Sequence, residues 1–544
     1  MKILESKCRF DNHEVINTTP VKKNPQKSNL QTQSPLRRSR TPKKSPIQDF
    51  KCSPIHQLST PGKTLKEVSS PSKCGSTVKM LDFNTDDNIC DDFGDDWEVE
   101  DIEEDITEDL DLSTMQRCEI LSVKNHSSRI ELRLKNCDSK KGTCFVEGIW
   151  LDTPITAGDI VSVLALRDCS GHYCVNNTSG LLVLRPDHLI SSTSVVAGVF
   201  CKRKAVLQER WRGIDSANMA MTTGILIHEL VQKALTQSIT SIEKLRAVTD
   251  NIIKESIERL YDAGLSEEEA RSNIQNYIPP LADFMNTYIA AKPPTVAHVQ
   301  KNKYNWSGHI DKVLDIEENL CCPKLGLKGK IDATLQVTIH ERKGRQRAVV
   351  PLELKSGKAS MSAEHRGQLV LYGMMLNLQN CEDPTQAAQR GLLLYLKDRV
   401  ELREVSCGYP ERRDLIMLRN QLVQYLSASP HDVDQEKLTD IEDASILLQQ
   451  KLPEPVDHHN ACAKCPYLTL CSLHLWHTDG PSVSDNHPLS KLRTEAIGHL
   501  SKEHIKYFLH WTALLKMEER LQMASSPLHA LWTDTVEKRL QYLL

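Results

Sequence analysis

Gly329-Lys330-Ile331-Asp332 and, further on, Pro351-Leu352-Glu353-Leu354-Lys355 are the segments whose reading decides the fold. Glu353 and Lys355 lie 21 and 23 residues after Asp332. Two apart on an expected strand, they share one face, and Leu354 between them faces the core. A hairpin of the two segments sets Asp332 opposite Glu353. Two carboxylates at one spot repel unless a cation sits between them. Mg²⁺ (or Mn²⁺) suits such a site, because it prefers oxygen ligands and keeps waters and substrate phosphate in its shell. The metal would polarise a phosphate and acidify a water. Lys355 would orient that water or offset the charge growing on the phosphorane.

A surface strand alternating Glu and Lys would show the same short pattern, so context decides. Apolar residues occupy the other face of Pro351-Leu-Glu-Leu-Lys-Ser-Gly357, and Gln368-Leu-Val-Leu-Tyr372 falls about one turn into the following helix. Upstream, Gly224-Ile-Leu-Ile-His228-Glu229 lies on an amphipathic helix. His228 reads either as a satisfied helix histidine or as a metal ligand.

A second cluster is Cys462-x2-Cys465-x5-Cys471, with Cys201 as a fourth candidate 261 residues before Cys462. Thiolates at this spacing converge readily, and either zinc or an iron–sulfur cluster could take four of them. They bracket the carboxylate segments, so a bound group would hold that domain closed. The chain has 17 cysteines, an odd number, which favours reduced thiols with some metal ligation over a disulfide framework.

The 544 residues suffice for about two to four domains. The net charge of −4 hides a strong asymmetry. Residues 1–80 hold 16 Lys+Arg against 5 Asp+Glu, whereas residues 82–111 hold 16 Asp+Glu and neither Lys nor Arg. Residues 1–112 therefore read as a disordered regulatory tail, basic and then acidic. Four Ser/Thr-Pro-x-Lys sites at Thr19, Thr41, Thr60 and Ser70 resemble cyclin-dependent kinase sites, and Arg37-Arg38-Ser39-Arg40-Thr41-Pro42-Lys43-Lys44 reads as a nuclear import patch. Phe83, Phe93 and Trp97 among carboxylates suit docking to a basic partner, or merely a solubilising run. The start has no apolar signal region and no run approaches a membrane span.

Residues 113–190 carry five or six short strands, as in a small OB-like β-barrel. From residue 191 to 475, helical periodicity alternates with strands near Leu325–Ile339, Ala348–Leu354 and Gly391–Leu396, which implies an α/β core. Residues 476–544 read as a helical stalk.

In this order, G-x3-H, D…E-x-K and Q-x3-Y resemble the RecB-like branch of the PD-(D/E)xK nucleases, which have a restriction-endonuclease-like core. Ile331 stands where that family name has a proline. The resemblance implies that His228, Asp332, Glu353 and the main-chain carbonyl of Leu354 hold the metal. It implies that Lys355 is the catalytic lysine, and that Gln368 and Tyr372 support the site and the DNA. One distant cysteine plus three after the nuclease motifs resembles the iron–sulfur nucleases of the AddB type and the eukaryotic replication helicase/nucleases. This implies a 4Fe-4S cluster on Cys201, Cys462, Cys465 and Cys471.

The segments Leu325–Asp332, Pro351–Lys358 and Glu364–Tyr372 look most like the nuclease half of the latter family, which trims flaps. The resemblance covers residues 117 to about 475, and residues 496–516 resemble the stalk leading to its helicase. The sequence departs from the family in one large respect. It has no G-x4-G-K-[S/T] loop, since Gly62-Lys63-Thr64 lacks the earlier glycine. ATPase and unwinding activity are therefore not expected of it, and the chain reads as a fragment or short isoform ending in the stalk.

The expected function is thus a Mg²⁺-dependent single-stranded and flap DNA nuclease in replication and repair. The expected location is the nucleus, with the mitochondrion as a second site, and the acidic tail is expected to meet a single-strand DNA-binding protein. A non-catalytic DNA-binding or scaffold fragment of the same fold is the alternative, which intact Asp332, Glu353 and Lys355 disfavour. A CRISPR-type nuclease of the same branch is disfavoured by the kinase and import sites.

Overall fold

The computed structural model describes residues 110–214, 218–290, 306–341, 344–380, 390–427, 451–480 and 489–525. The expectations for the kinase sites, the import patch and the aromatic-acidic run lie outside the described residues, as does the end of the expected stalk.

The first seven strands are β1 (Gln116–Asn125), β2 (Arg129–Asn136), β3 (Lys141–Glu147), β4 (Ile160–Leu164), β5 (Leu166–Arg167), β6 (Tyr173–Val175) and β7 (Leu181–Leu184). They form one sheet in the order β5-β6-β3-β2-β1-β4-β7. In β2, Arg-Ile-Glu-Leu-Arg-Leu buries Leu132 and Leu134 and leaves the polar residues less covered, which is the alternation of a half-buried strand. One residue, Ala165, separates β4 from β5. The same run of chain therefore pairs with β1 through β4 and with β6 through β5. Trp150 is fully buried, and its indole N–H donates to the carbonyl of Asn176 at 3.0 Å.

The chain then enters a second unit of helices and strands. It opens with β8 (Ile190–Ser191), α1 (Ser192–Ala197), α2 (Lys202–Arg210) and α3 (Met219–Gln237). Asn218 caps α3 by accepting the N–H of Met221 at 2.9 Å, and Ser238 ends it in the left-handed conformation. Next come α4 (Ile242–Glu255), α5 (Ile257–Asp262), α6 (Glu267–Gln275) and α7 (Ile278–Met285). Sequence periodicity predicts one helix over 267–288, but two form. Pro279 and Pro280 lack N–H donors and are tolerated only in a first turn, so a new helix starts there. A capping box of Ser266 and Glu269 fixes the start of α6.

The second sheet contains β9 (Gly308–Cys322), β10 (Leu327–Glu341), β11 (Gly344–Lys355), β12 (Arg390–Tyr395) and β13 (Glu401–Ser406), with α8 (Ala363–Asn380) between β11 and β12. Its order is β13-β12-β11-β10-β8, and β9 pairs with β10 on the other edge. The β10–β11 hairpin is antiparallel; β11 and β12 run parallel, as a strand–helix–strand crossover requires. This makes a mixed α/β architecture. Strand β9 is missing from the sequence expectation. Its segment Asp311-Lys-Val-Leu-Asp-Ile-Glu-Glu318 does not alternate cleanly, and its pairing with β10 is broken by two register shifts.

Helix α9 (Tyr409–Ser427) locks the two sheets together. Arg419 is fully buried there and donates to the carbonyls of Leu184, Arg185, His188 and Gly326. Asn420 beside it accepts the N–H of Leu184 at 3.0 Å and donates to the carbonyl of Leu182 at 2.7 Å. A buried guanidinium persists only with its donors satisfied, and here backbone carbonyls satisfy them. Gly326 sits at φ 60, and a Cβ there would lie 2.1 Å from the Arg419 guanidinium. One apolar cluster accordingly runs from the first sheet (Leu132, Val161, Leu182) into the second (Leu327, Ile331) and the helix α8 packed on it (Met375).

The remaining described helices are α10 (His459–Cys462), α11 (Leu468–Asp479), α12 (Ser490–Ile497) and α13 (Lys502–Ser525). Leu207 of α2 packs with Tyr467, Leu470, Ile497 and Ile505, and Trp211 stacks on Phe508 at 5.8 Å. No helix among the described residues is long and apolar enough to cross a membrane.

Candidate active site

The β10–β11 ladder ends where the carboxylates begin. Its last paired residues are Ala333 and Leu352, and one step further Asp332 faces Glu353. There the Asp332 side chain takes over the ladder, accepting the N–H of Leu354 at 2.7 Å. In an extended strand the N–H and C=O of one residue point to the same edge. The Leu354 carbonyl therefore faces the Asp332 edge as well, while the Leu354 side chain is 1% exposed in the core. Pairing with β12 over Leu352–Lys355 holds this strand from its other side.

Helix α3 brings in His228, whose Nδ1 lies 3.2 Å from Asp332 Oδ1. Burial opposes charge on this imidazole, but the hydrogen bond and charge of Asp332 outweigh it and raise its pKa above the usual histidine value. On β11, the Lys355 ammonium donates to Glu353 Oε1 at 2.5 Å and to Gln368 Oε1 at 3.1 Å. Gln368 in turn donates to the Tyr372 hydroxyl at 2.7 Å. Gln368 and Tyr372 are one turn apart on α8, which aligns them as a relay behind Lys355. A Cβ on Gly329 would lie 2.8 Å from the Tyr372 ring, so glycine there lets the ring approach β10. The structure thus brings His228, Asp332, Glu353, Lys355, Gln368 and Tyr372 into one connected group.

Glu353 carries the strongest electrostatic signal. It is 3% exposed, and its second oxygen, Oε2, has no hydrogen-bond partner. Burial pushes its carboxyl up to about 7, with the neighbouring Asp332 charge adding to the rise and Lys355 pulling the other way. A buried, half-satisfied carboxylate beside a second carboxylate is short of positive charge. A divalent cation would relieve both deficits, so the residues fit one.

One member of this group escapes sequence reading. Glu317 on β9 supplies an oxygen that lies, with ligand atoms of His228 and Asp332, within a mutual 4.8 Å. In the sequence it sits in Asp315-Ile316-Glu317-Glu318 and looks like a solvated charge run. Without β9, nothing in the sequence could place it.

Beside Gln368 and Tyr372 opens a cavity of about 560 Å³ lined by Arg212, Lys328 and Lys330 together with the hydroxyl of Ser192. Three cations and a hydroxyl beside the carboxylate group suit an anionic, phosphate-bearing chain.

The four cysteines gather near the start of α2. Cys201 caps α2, its Sγ accepting the N–H of Lys204 at 3.4 Å. Cys462 ends α10, Cys465 follows it, and Cys471 lies in α11. All four are free thiols. Cys201 and Cys462 act electrostatically on both Cys465 and Cys471, so the distant cysteine joins the other three. Burial pushes the Cys471 thiol up to about 11. Arg203, 4% exposed, places its guanidinium 3.9 Å from that sulfur.

A family model described as DNA replication factor Dna2 matches residues 135–337. The chain is 34% identical over 391 residues to a chicken (Gallus gallus) protein named DNA replication ATP-dependent helicase/nuclease DNA2, covering 69% of this chain and 37% of that one. It is 31% identical over 417 residues to the human protein of that name, covering 73% and 38%. The Schizosaccharomyces pombe protein of that name is 29% identical over 398 residues, covering 73% and 26%. The chain thus spans little more than a third of the length of the vertebrate relatives.

Proposed function

From the premise that the chain carries a DNA replication factor Dna2 domain and is similar to part of the DNA2 helicase/nucleases, we propose that it is a Mg²⁺-dependent nuclease of single-stranded DNA. It would act as endonuclease and exonuclease on 5′ flaps during Okazaki fragment processing and on resected ends in repair. The observation that carries this reading is the buried, half-satisfied Glu353 beside Asp332, tied to His228 and Lys355. We read the second sheet with its helices as a PD-(D/E)xK core, the first as an OB-like barrel, and the C-terminal helices as a stalk. Nuclear localisation and docking to a single-strand DNA-binding protein are part of the same proposal.

Asp332, Glu353, His228 and the Leu354 carbonyl would hold the metal. When bound, it supplies Lewis-acid polarisation of the scissile phosphate and a more acidic water. Lys355 stands next to that position, held by Glu353 and Gln368, and offsets charge that develops only in the transition state. Gln368 keeps the ammonium aimed, and Tyr372 fixes Gln368. Lys355→Ala is expected to lower single-turnover cleavage by roughly 10²- to 10³-fold, with DNA binding and melting temperature nearly unchanged. Undiminished cleavage would reduce Lys355 to a surface strand lysine.

The strand would approach through the basic cavity. Arg212→Glu combined with Lys328→Glu is expected to weaken single-stranded DNA binding. It should also flatten the dependence of log K on log salt by about 0.7 for each phosphate that is no longer neutralised. An unchanged slope would take the cavity off the DNA path.

We read Cys201, Cys462, Cys465 and Cys471 as ligands of a structural 4Fe-4S cluster. The gathering of the distant Cys201 with the other three supports this, as does a buried Arg203 beside Cys471 that would offset cluster charge.

A further inference from the structure

We propose that Glu317 is a further ligand of the metal site, binding a divalent cation together with His228 and Asp332; the proposal rests on the metal reading above. Octahedral bonds near 2.1 Å span about 4.2 Å between opposite ligands. Ligand atoms of these three residues, all within 4.8 Å of one another, are therefore within reach of one ion. They are the one such group of three or more among the described residues.

The register explains how Glu317 arrives there. Ile316 pairs with Ala333 and Glu318 with Ile331, so Glu317 lies across from Asp332 on the edge opposite Glu353. Asp332 is thereby flanked by carboxylates on both neighbouring strands. Glu317 also adopts φ 56, the left-handed region that a glutamate rarely occupies, at a cost of about 1–2 kcal/mol. An independent observation that points to a cation is the buried Glu353 Oε2, which has no hydrogen-bond partner although the fields of Asp332 and His228 act on its carboxyl.

Two groups hold the Glu317 carboxylate. Gln232 of α3 donates to one oxygen and the Lys330 ammonium meets the other. The Lys330 side chain is 55% exposed, so it can swing into solvent when a stronger cation binds. One imidazole and two carboxylates make a donor set that accepts Mn²⁺ more readily than Mg²⁺.

Binding of Mn²⁺ to the full chain without DNA, followed by electron paramagnetic resonance of the free ion, tests the proposal. Glu317→Gln should weaken Mn²⁺ binding by more than about tenfold, Glu317→Asp less, and Lys330→Ala should leave it equal or tighter. Circular dichroism melts confirm that each variant is folded. Wild-type affinity in Glu317→Gln, with loss in Asp332→Asn, would overturn the Glu317 assignment and leave the metal site standing. Equal loss in Lys330→Ala and Glu317→Gln would make Glu317 a structural ion-pair partner and also overturn it. Wild-type affinity in Asp332→Asn would overturn the metal reading itself and the proposal with it.

Discussion

Asp332→Asn is expected to abolish DNA cleavage, lowering it by roughly three orders of magnitude or more, while the protein stays folded and still binds single-stranded DNA. The reason lies in the two jobs of one carboxylate. Oδ2 accepts the N–H of Leu354, and Oδ1 faces His228. Asparagine keeps an oxygen for Leu354, so the end of the β10–β11 ladder survives. It removes the negative charge, and with it the attraction that holds a divalent cation against Glu353. Alanine is a poorer test, because it also strands the Leu354 N–H at a cost of about 1–3 kcal/mol. Gel-based cleavage beside a binding isotherm separates the outcomes. Wild-type Mg²⁺-dependent cleavage by Asp332→Asn would remove Asp332 from the site.

Cys201→Ala is expected to cost iron, stability and DNA binding together. Joining Cys201 to Cys471 closes a loop of about 270 residues, which removes on the order of 5 kcal/mol of chain entropy from the unfolded state. A group that binds the folded thiols and not the unfolded chain adds its binding energy to folding. The local structure is set for this. The Cys201 sulfur sits at the start of α2, where it accepts the N–H of Lys204, and α2 packs on Tyr467 and Leu470 through Leu207. The check is iron and acid-labile sulfide analysis of anaerobically purified protein, with a thermal melt. Full iron in Cys201→Ala would show the distant ligand to be misassigned. Zinc without iron or sulfide in the parent protein would overturn the iron–sulfur reading.

Much of the site is legible in the chain because its spacing is local. Glu353 and Lys355 share a face by strand periodicity, and Gln368 and Tyr372 share one by helix periodicity. Asp332 meets Glu353 because a short polar turn joins two apolar strands. The strand forming the other wall of the site is illegible. Asp315 to Glu318 carries three acids in four residues, so its alternation is lost and Glu317 looks like surface charge. Its closeness to Asp332 follows from β9–β10 pairing across Cys322 to Leu327, a tertiary fact without a local pattern. Arg419 is hidden for the same reason, since a helix arginine shows nothing of the four distant carbonyls that bury it. The proline pair at 279 and 280 is visible, yet apolar periodicity runs straight through it. Local backbone chemistry decides there.

Cleavage of a 5′-tailed single-stranded DNA by the purified chain, titrated with Mg²⁺ and then with excess chelator, tests the central claim most directly. The account predicts no products without divalent metal, products that rise with Mg²⁺, and their loss on chelation and in Glu353→Gln. Cleavage that persists in chelator, or Mg²⁺-dependent cleavage undiminished in Glu353→Gln, would contradict it.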